Sequence, residues 1–304
     1  MSGATPNLRR ATAADSEACF RLFWDSISDL AARQGTPWEG TADDRWPTFT
    51  ALYALLAEIA AEWWVAEDDE GRLTGYARSI ERGADRGLFE LSEFFVRPGH
   101  QSTGVGRPLL ERAFPVGRGE VRAIVATGDV RAVSRYHGAD TSIQFPILGL
   151  NGIPSADGAR EPRLEAHQIT DTADLEEVAG IEHAVLGYGR GAHELRWLLD
   201  RREAYRYRQG GRAVAVAFIG LDGVGPIAAL EPQHLPDVLD HVEARALAIG
   251  REDIGFEVPA PNVVAIRHLL ARGYRIDPFV TYLMANRPFG QFDRYLGFTP
   301  PFVL

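Results

Sequence analysis

Residues 94–110 read Phe94-Phe95-Val96-Arg97-Pro98-Gly99-His100-Gln101-Ser102-Thr103-Gly104-Val105-Gly106-Arg107-Pro108-Leu109-Leu110. An apolar extended segment leads into a QxxGxG loop, and the loop leads into a segment whose apolar residues recur with helical spacing. Gly104 and Gly106 permit positive φ and close backbone approach. Successive N–H groups can then converge on an anion at a helix start, where the aligned peptide dipoles also favour negative charge. Pro108 suits the first helical turn, because its missing N–H would have no partner there. On spacing alone the loop is either a phosphate cradle or an ordinary turn. Dinucleotide and Walker sites drop out: neither GxGxxG nor GKS/T occurs, and no acidic residue follows at the ribose-binding distance.

Upstream of the loop, residues 63–67, 73–81 and 88–96 read as strands, the first two joined by the turn-like Asp68-Asp69-Glu70-Gly71. A strand at 8–11, an amphipathic helix at 15–33 with Phe20, Phe23, Trp24 and Ile27 on one face, and a second helix near 49–61 precede them. Downstream come a helix over 106–114 and a strand, turn, helix, strand unit over 121–150. That unit recurs at 254–284, where Asn262, Ala265 and Ile266 repeat the order and spacing of Asp129, Ala132 and Val133, and Gly138 and Gly273 close the two helices. The segment 164–174 likewise echoes 8–15. Two related domains follow, expected at 1–152 and 160–304, with the boundary in the Gly- and Pro-punctuated 151–162. Mixed strands and helices in this order indicate an α/β or α+β class.

Composition narrows the partners. A formal charge of −10 opposes binding to a nucleic-acid backbone. Apolar runs fall well short of the ~20 residues that span a bilayer, and residues 1–14 lack the apolar stretch of a secretory signal, so a cytoplasmic location is expected. Cys19 is the only cysteine, which rules out an intrachain disulfide and agrees with a reducing compartment. The eight histidines form no HExxH, and His183, His193, His234 and His241 lack a ligand set; no metal is expected.

Val96-Arg97-Pro98, then Gln101-Ser102-Thr103-Gly104-Val105-Gly106 and Leu109-Leu110, resemble the acetyl-CoA motif of the GNAT N-acetyltransferases. Asp129, Ala132 and Tyr136 resemble the family's Asn-x-x-Ala-x-x-x-Tyr helix, with Asp in place of Asn. The likeness covers residues 8–150 and, more loosely, 164–284, so the chain looks like a tandem GNAT protein. That implies two domains, each a mixed, mostly antiparallel sheet flanked by helices. In the rear copy the loop position holds Glu231-Pro232-Gln233-His234-Leu235-Pro236-Asp237, and Leu269 stands where the front copy has Tyr136. Two prolines remove N–H donors and two acidic residues repel an anion, so the rear copy reads as degenerate.

The resemblance implies a reaction: acetyl transfer from acetyl-CoA, the cosubstrate, to an amine of a small molecule by direct attack in a ternary complex. Backbone groups at Phe95 and Val96 would take the pantetheine and thioester, and Gln101, Ser102, Thr103, Gly104, Val105, Gly106 and Arg107 the diphosphate. Asp129 would cap its helix and touch the cofactor. Tyr136 would protonate the departing thiolate; His137 beside it points about 100° away. Glu90 and Glu93 are candidate bases acting through water, but strict alternation puts them on opposite strand faces unless a bulge intervenes. The segment 33–46 would shape the acceptor side, with Trp38 and Trp46 to stack and Asp43 and Asp44 to attract a cation. A non-catalytic acyl-CoA sensor or scaffold, and a protein or peptide amine acetyltransferase, remain as alternatives. The aromatic segment 289–304 suits docking, either between domains or in a homodimer; monomer and homodimer both stay open.

Overall fold

A computed structural model describes residues 7–83, 87–101, 104–155 and 162–298. Two compact units emerge: residues 1–142 with 284–287, and residues 143–283 with 288–304. Unit 1 contains, in chain order, β1 (Asn7–Arg10), α1 (Ser16–Arg33), α2 (Ala42–Ile59), β2 (Ala60–Glu67), β3 (Leu73–Arg82), β4 (Leu88–Val96), α3 (Gly106–Ala113), β5 (Val121–Thr127) and α4 (Val130–Gly138). Its strands lie in the order β1-β2-β3-β4-β5, antiparallel except for the parallel β4–β5 pair. The alternation of β3 explains the layering. Ser79 reaches one face, where its hydroxyl donates to Ala113 O of α3 at 2.6 Å. On the other face α1 buries Cys19, Phe20, Phe23, Trp24, Ile27 and Leu30. Phe20 anchors an aromatic cluster there, with ring centroids 5.0 Å from Phe49, 5.3 Å from Trp46 and 5.4 Å from Tyr53.

Unit 2 holds β6 (Ser142–Gly152), β7 (Glu165–Ile169), α5 (Leu175–Leu186), α6 (Ala192–Leu199), β8 (Glu203–Gln209), β9 (Arg212–Gly220), β10 (Gly223–Ala229), α7 (Leu235–Ala248), β11 (Ile254–Pro259), α8 (Val263–Ala271), β12 (Arg275–Ile276), β13 (Thr281–Ala285) and β14 (Tyr295–Leu296). One antiparallel sheet runs β14-β10-β9-β8-β7, and β6 pairs antiparallel with β11 and β12. Its core joins Ala215, Ala217 and Ile219 of β9 to Leu235, Val238, Leu239 and Val242 of α7. Both units are therefore mixed α/β layers with mostly antiparallel strands flanked by helices.

The units divide at Ser142/Ile143, inside the segment that sequence assigns to the front half. The physical reason is the pairing of β6 with β11, from Ile147↔Pro259 to Gly152↔Ile254. In return, residues 284–287 belong to unit 1, where Asn286 brackets β5: its N–H donates to Arg122 O at 3.1 Å and its Oδ1 accepts from Arg122 N at 2.8 Å. Among the described residues no helix is long and apolar enough to cross a membrane.

Candidate active site

The site starts from a break in pairing. β4 and β5 are in parallel register from Leu88↔Val121 to Leu91↔Ile124, yet both strands continue beyond it. At that point β4 carries one extra residue: Arg78 faces Glu93 while Ser79 faces Leu91, which leaves Ser92 bulged. A bulge bends its strand and strengthens the local twist, and β4 swings away from β5. The resulting cleft, about 920 Å³ out to bulk solvent, is lined by 91–96 of β4, Ile124, Val125 and Thr127 of β5, one side of α1, and the facing side of α4.

Which backbone groups face this opening follows from the ladder. Arg97 N–H donates to Thr74 O at 2.8 Å, so Phe95 and Glu93 also bond to β3, and the N–H and C=O groups of Phe94 and Val96 point to the open side. The Gln101 amide already reaches Val96 O at 3.3 Å. The expectation for Phe95 is thereby corrected: its backbone is committed to β3, and its ring packs on Phe23 and Tyr76, 5.2 and 5.7 Å between centroids.

The loop then turns into α3. Gly104 adopts φ +97°, a conformation L residues avoid, and Gly106 is the first residue of the helix. A Cβ on Gly106 would lie 3.2 Å from the tip of the Phe94 ring and 3.5 Å from Val96, so a side chain there would press on the cleft wall. Val105, Leu109 and Leu110 are buried and fix α3 on the sheet. Ser102 and Thr103 lie outside the described residues. Arg107 does not line the cleft; it is exposed and pairs with Glu111 one turn along at 2.8 Å.

Asp129 caps α4 by accepting from Arg131 N at 2.9 Å and lines the cleft. Burial pushes its carboxyl up, but the Arg131 guanidinium and backbone N–H, with Arg33 at 3.5 Å, outweigh that and hold it at about 2. Tyr136 lies one helical face further on, buried but lining the cleft, its ring edge-on to Phe94 at 6.1 Å. Burial, with Asp129 adding to it, raises the phenol well above its usual value, so it stays protonated through neutral and mildly alkaline pH. His137 is exposed and lies away from the cleft lining.

The two glutamates are corrected. The bulge does intervene and brings both to the Arg78 face of the sheet, where both carboxylates are buried and ion-paired, although Glu93 lines the cleft and its Oε2 accepts no hydrogen bond from the described residues. Glu90 is 1 % exposed, pairs with Arg82 at 3.3 Å and does not line the cleft. Glu93 accepts from Tyr53 OH and Tyr76 OH, both at 2.6 Å, and pairs with Arg78 at 3.3 Å; Arg78 is itself fully buried under the Trp63 ring. Glu93 therefore anchors the residue that follows the bulge. Removing it strands a buried guanidinium, and Glu93→Ala is expected to cost roughly 3–5 kcal/mol, read as a fall in chemical-denaturation stability.

The acceptor-side expectations also change. Trp38 packs on Trp24 (5.4 Å) and Trp46 on Phe20, Asp43 pairs with Arg21, and Asp44 completes the capping box with Thr41. None of these four lines the cleft; Ile27, Leu30 and Arg33 of α1 do. Arg33, Arg131 and Arg135 make the lining basic in a chain of charge −10. Sequence reading missed them because arginines on helices are ordinarily solvated; only the divergence of β4 from β5 turns those faces inward.

In unit 2 the corresponding gap is filled by the chain itself. β14 pairs with β10 (Tyr295↔Ala228, Leu296↔Ile227), and Gly297 N donates to Glu257 O of β11 at 2.8 Å. Asn262, the counterpart of Asp129, donates its amide to Tyr295 O at 3.1 Å. A 3-10 turn at Pro232–His234 replaces the glycine loop, and Leu269 is fully buried. The described part of the aromatic tail thus completes unit 2 from within; residues 299–304 lie outside the described residues. Asp240, Glu243 and His268 also converge in this unit, but Arg272 already supplies a cation there, at 3.6 Å from Asp240 and paired with Glu243.

Residues 60–137 match the family model for the acetyltransferase (GNAT) domain, which spans the bulge, the loop, Asp129 and Tyr136. No curated protein matches by sequence. Among solved structures, a proposed acetyltransferase of Pyrococcus horikoshii superposes with a TM-score of 0.73 at 13% identity, covering 97% of this chain and 94% of that one. A GCN5-related N-acetyltransferase of Sphaerobacter thermophilus gives 0.63 at 13%, covering 93% and 96%. A tandem GNAT protein from the clavulanic acid biosynthesis pathway gives 0.56 at 15%, covering 93% and 99%. At such identities the likeness is one of fold, and it extends over both units. The chain carries a GNAT acetyltransferase domain in its front unit and is accordingly an acyltransferase, moving an acyl group from acyl-coenzyme A to an amine.

Proposed function

We propose that the chain transfers the acetyl group of acetyl-CoA to a primary amine of a small molecule, inside a ternary complex in the unit 1 cleft. One observation carries the reading: the bulge at Ser92 opens β4 from β5 where the start of α3, the outward-facing backbone groups of Phe94 and Val96, and Tyr136 meet. The pantetheine arm would add to the open edge of β4 as an extra strand does. The thioester carbonyl would then lie near the bulge, where a backbone N–H can polarise it. The amine nitrogen attacks the carbonyl carbon, the adduct sheds one N–H proton to water as the C–S bond breaks, and the Tyr136 O–H gives its proton to the sulfur and is reprotonated from solvent. With Glu90 and Glu93 both ion-paired and buried, the amine must arrive neutral or lose its proton to water, and positioning supplies much of the rate. The buried Cys19 takes no part and suits a reducing, cytoplasmic setting.

The same engaged carboxylates favour a second reading, a non-catalytic acyl-CoA sensor. Incubation with acetyl-CoA and a panel of small amines, with free thiol monitored, separates the two. Thiol release dependent on at least one amine is the expected result. Binding of coenzyme A without release across small amines and peptide amines alike would instead leave the sensor.

A further inference from the structure

We infer that Arg135 is the side-chain cation of the diphosphate subsite, the role expected of Arg107, which does not line the cleft and pairs with Glu111 instead. The inference rests on the reading that the coenzyme occupies the unit 1 cleft, and it names a residue that the loop motif does not contain. Arg135 stands in the last turn of α4 and lines the cleft, half-buried. Its guanidinium carbon lies 3.6 Å from the point where a Cβ on Gly106 would be, so it abuts the first residue of α3. Its charge is uncommitted: among the described residues no carboxylate pairs with it. The neighbouring arginines are all engaged. Arg33 and Arg131 share Asp129, Arg107 has Glu111, Arg78 has Glu93, and Arg112 stacks over Trp64 at 4.8 Å.

A half-buried guanidinium without a counter-ion, in a chain of charge −10, is costly unless an anion visits it. The anion that fits is a diphosphate. Its oxygens can take the planar N–H fork side on while the N–H groups at the start of α3 take the opposite edge. Helical geometry keeps this task separate from that of Tyr136, since adjacent residues diverge by about 100°. Arg135 faces Gly106 and Tyr136 faces Phe94.

Calorimetric titration with coenzyme A and with 3′-dephospho-coenzyme A, which keeps the diphosphate but lacks the ribose phosphate, tests the assignment. Arg135→Ala should weaken binding of both by about 10- to 100-fold. Arg135→Lys should recover part of the loss, the unfolding midpoint of the free chain should not fall in either variant, and the loss should shrink at high salt. Unchanged affinity in Arg135→Ala overturns the assignment. So does a loss seen with coenzyme A but absent with the dephospho form, which would move the contact to the 3′-phosphate. A loss accompanied by a fallen midpoint in both variants would make Arg135 a packing residue and overturn it equally. A wild-type chain that binds neither nucleotide would sink the cleft reading itself, and this inference with it.

Discussion

Gly106→Val is expected to weaken coenzyme A binding by more than about 100-fold while leaving the fold intact. The Cβ alone would come within 3.2 Å of Phe94 and 3.5 Å of Val96, and valine adds two methyl groups at the opening of α3. Those atoms would occupy the space through which the first N–H groups of the helix reach the cleft, and would press on the Phe94 and Val96 stretch that flanks it. Gly104→Val works differently. Nothing lies within 4 Å of a Cβ there, so its cost is the backbone conformation, φ +97°, of order 1–3 kcal/mol. The loop should relax to a geometry that binds about 10- to 100-fold more weakly. Titration of both variants with coenzyme A, beside a thermal melt, checks the pair. Wild-type affinity in Gly106→Val would mean that the diphosphate is held elsewhere.

The second large effect is kinetic. Tyr136→Phe should lower kcat by roughly 10- to 100-fold with the Kd for coenzyme A changed less than about twofold. The ring stays and keeps its edge-on contact with Phe94; only the proton is lost. Because burial holds the phenol protonated, the sign of the pH dependence is fixed. The acid form persists as pH rises through the neutral range, so Tyr136 should produce no alkaline fall in kcat there. Any fall on the acid side then reports an amine that must be neutral to attack. Loss of binding equal to the loss of turnover would show that Tyr136 merely packs.

How much of this was legible beforehand divides along physical lines. The glycines at 104 and 106 and the helix with Asp129 and Tyr136 are local patterns: spacing, glycine freedom and capping are properties of neighbours in sequence, and the positive φ of Gly104, the start of α3 at Gly106 and the Asp129 cap lie where such reasoning puts them. The bulge at Ser92 is another matter. It is a mismatch of register between β3 and β4, visible only once Arg78 is seen opposite Glu93 and Ser79 opposite Leu91. For the same reason Glu93 reads as a possible base in sequence, and its engagement by Tyr53, Tyr76 and Arg78, all far along the chain, does not. The unit boundary was misplaced because β6 looks like the close of a repeat, whereas its partner β11 lies a hundred residues on. Aromatic content marked the tail as a docking segment, but its berth between β10 and β11 depends on a gap that only the folded rear unit creates.

A crystal structure of the chain grown with coenzyme A tests the central claim most directly. The account predicts one coenzyme per chain, its diphosphate against the backbone from Gly104 to Gly106 and its pantetheine arm beside Phe94 and Val96, with β14 still seated in the rear unit. Coenzyme lodged in the rear unit with β14 displaced, or in the front unit away from the glycine loop, would contradict it.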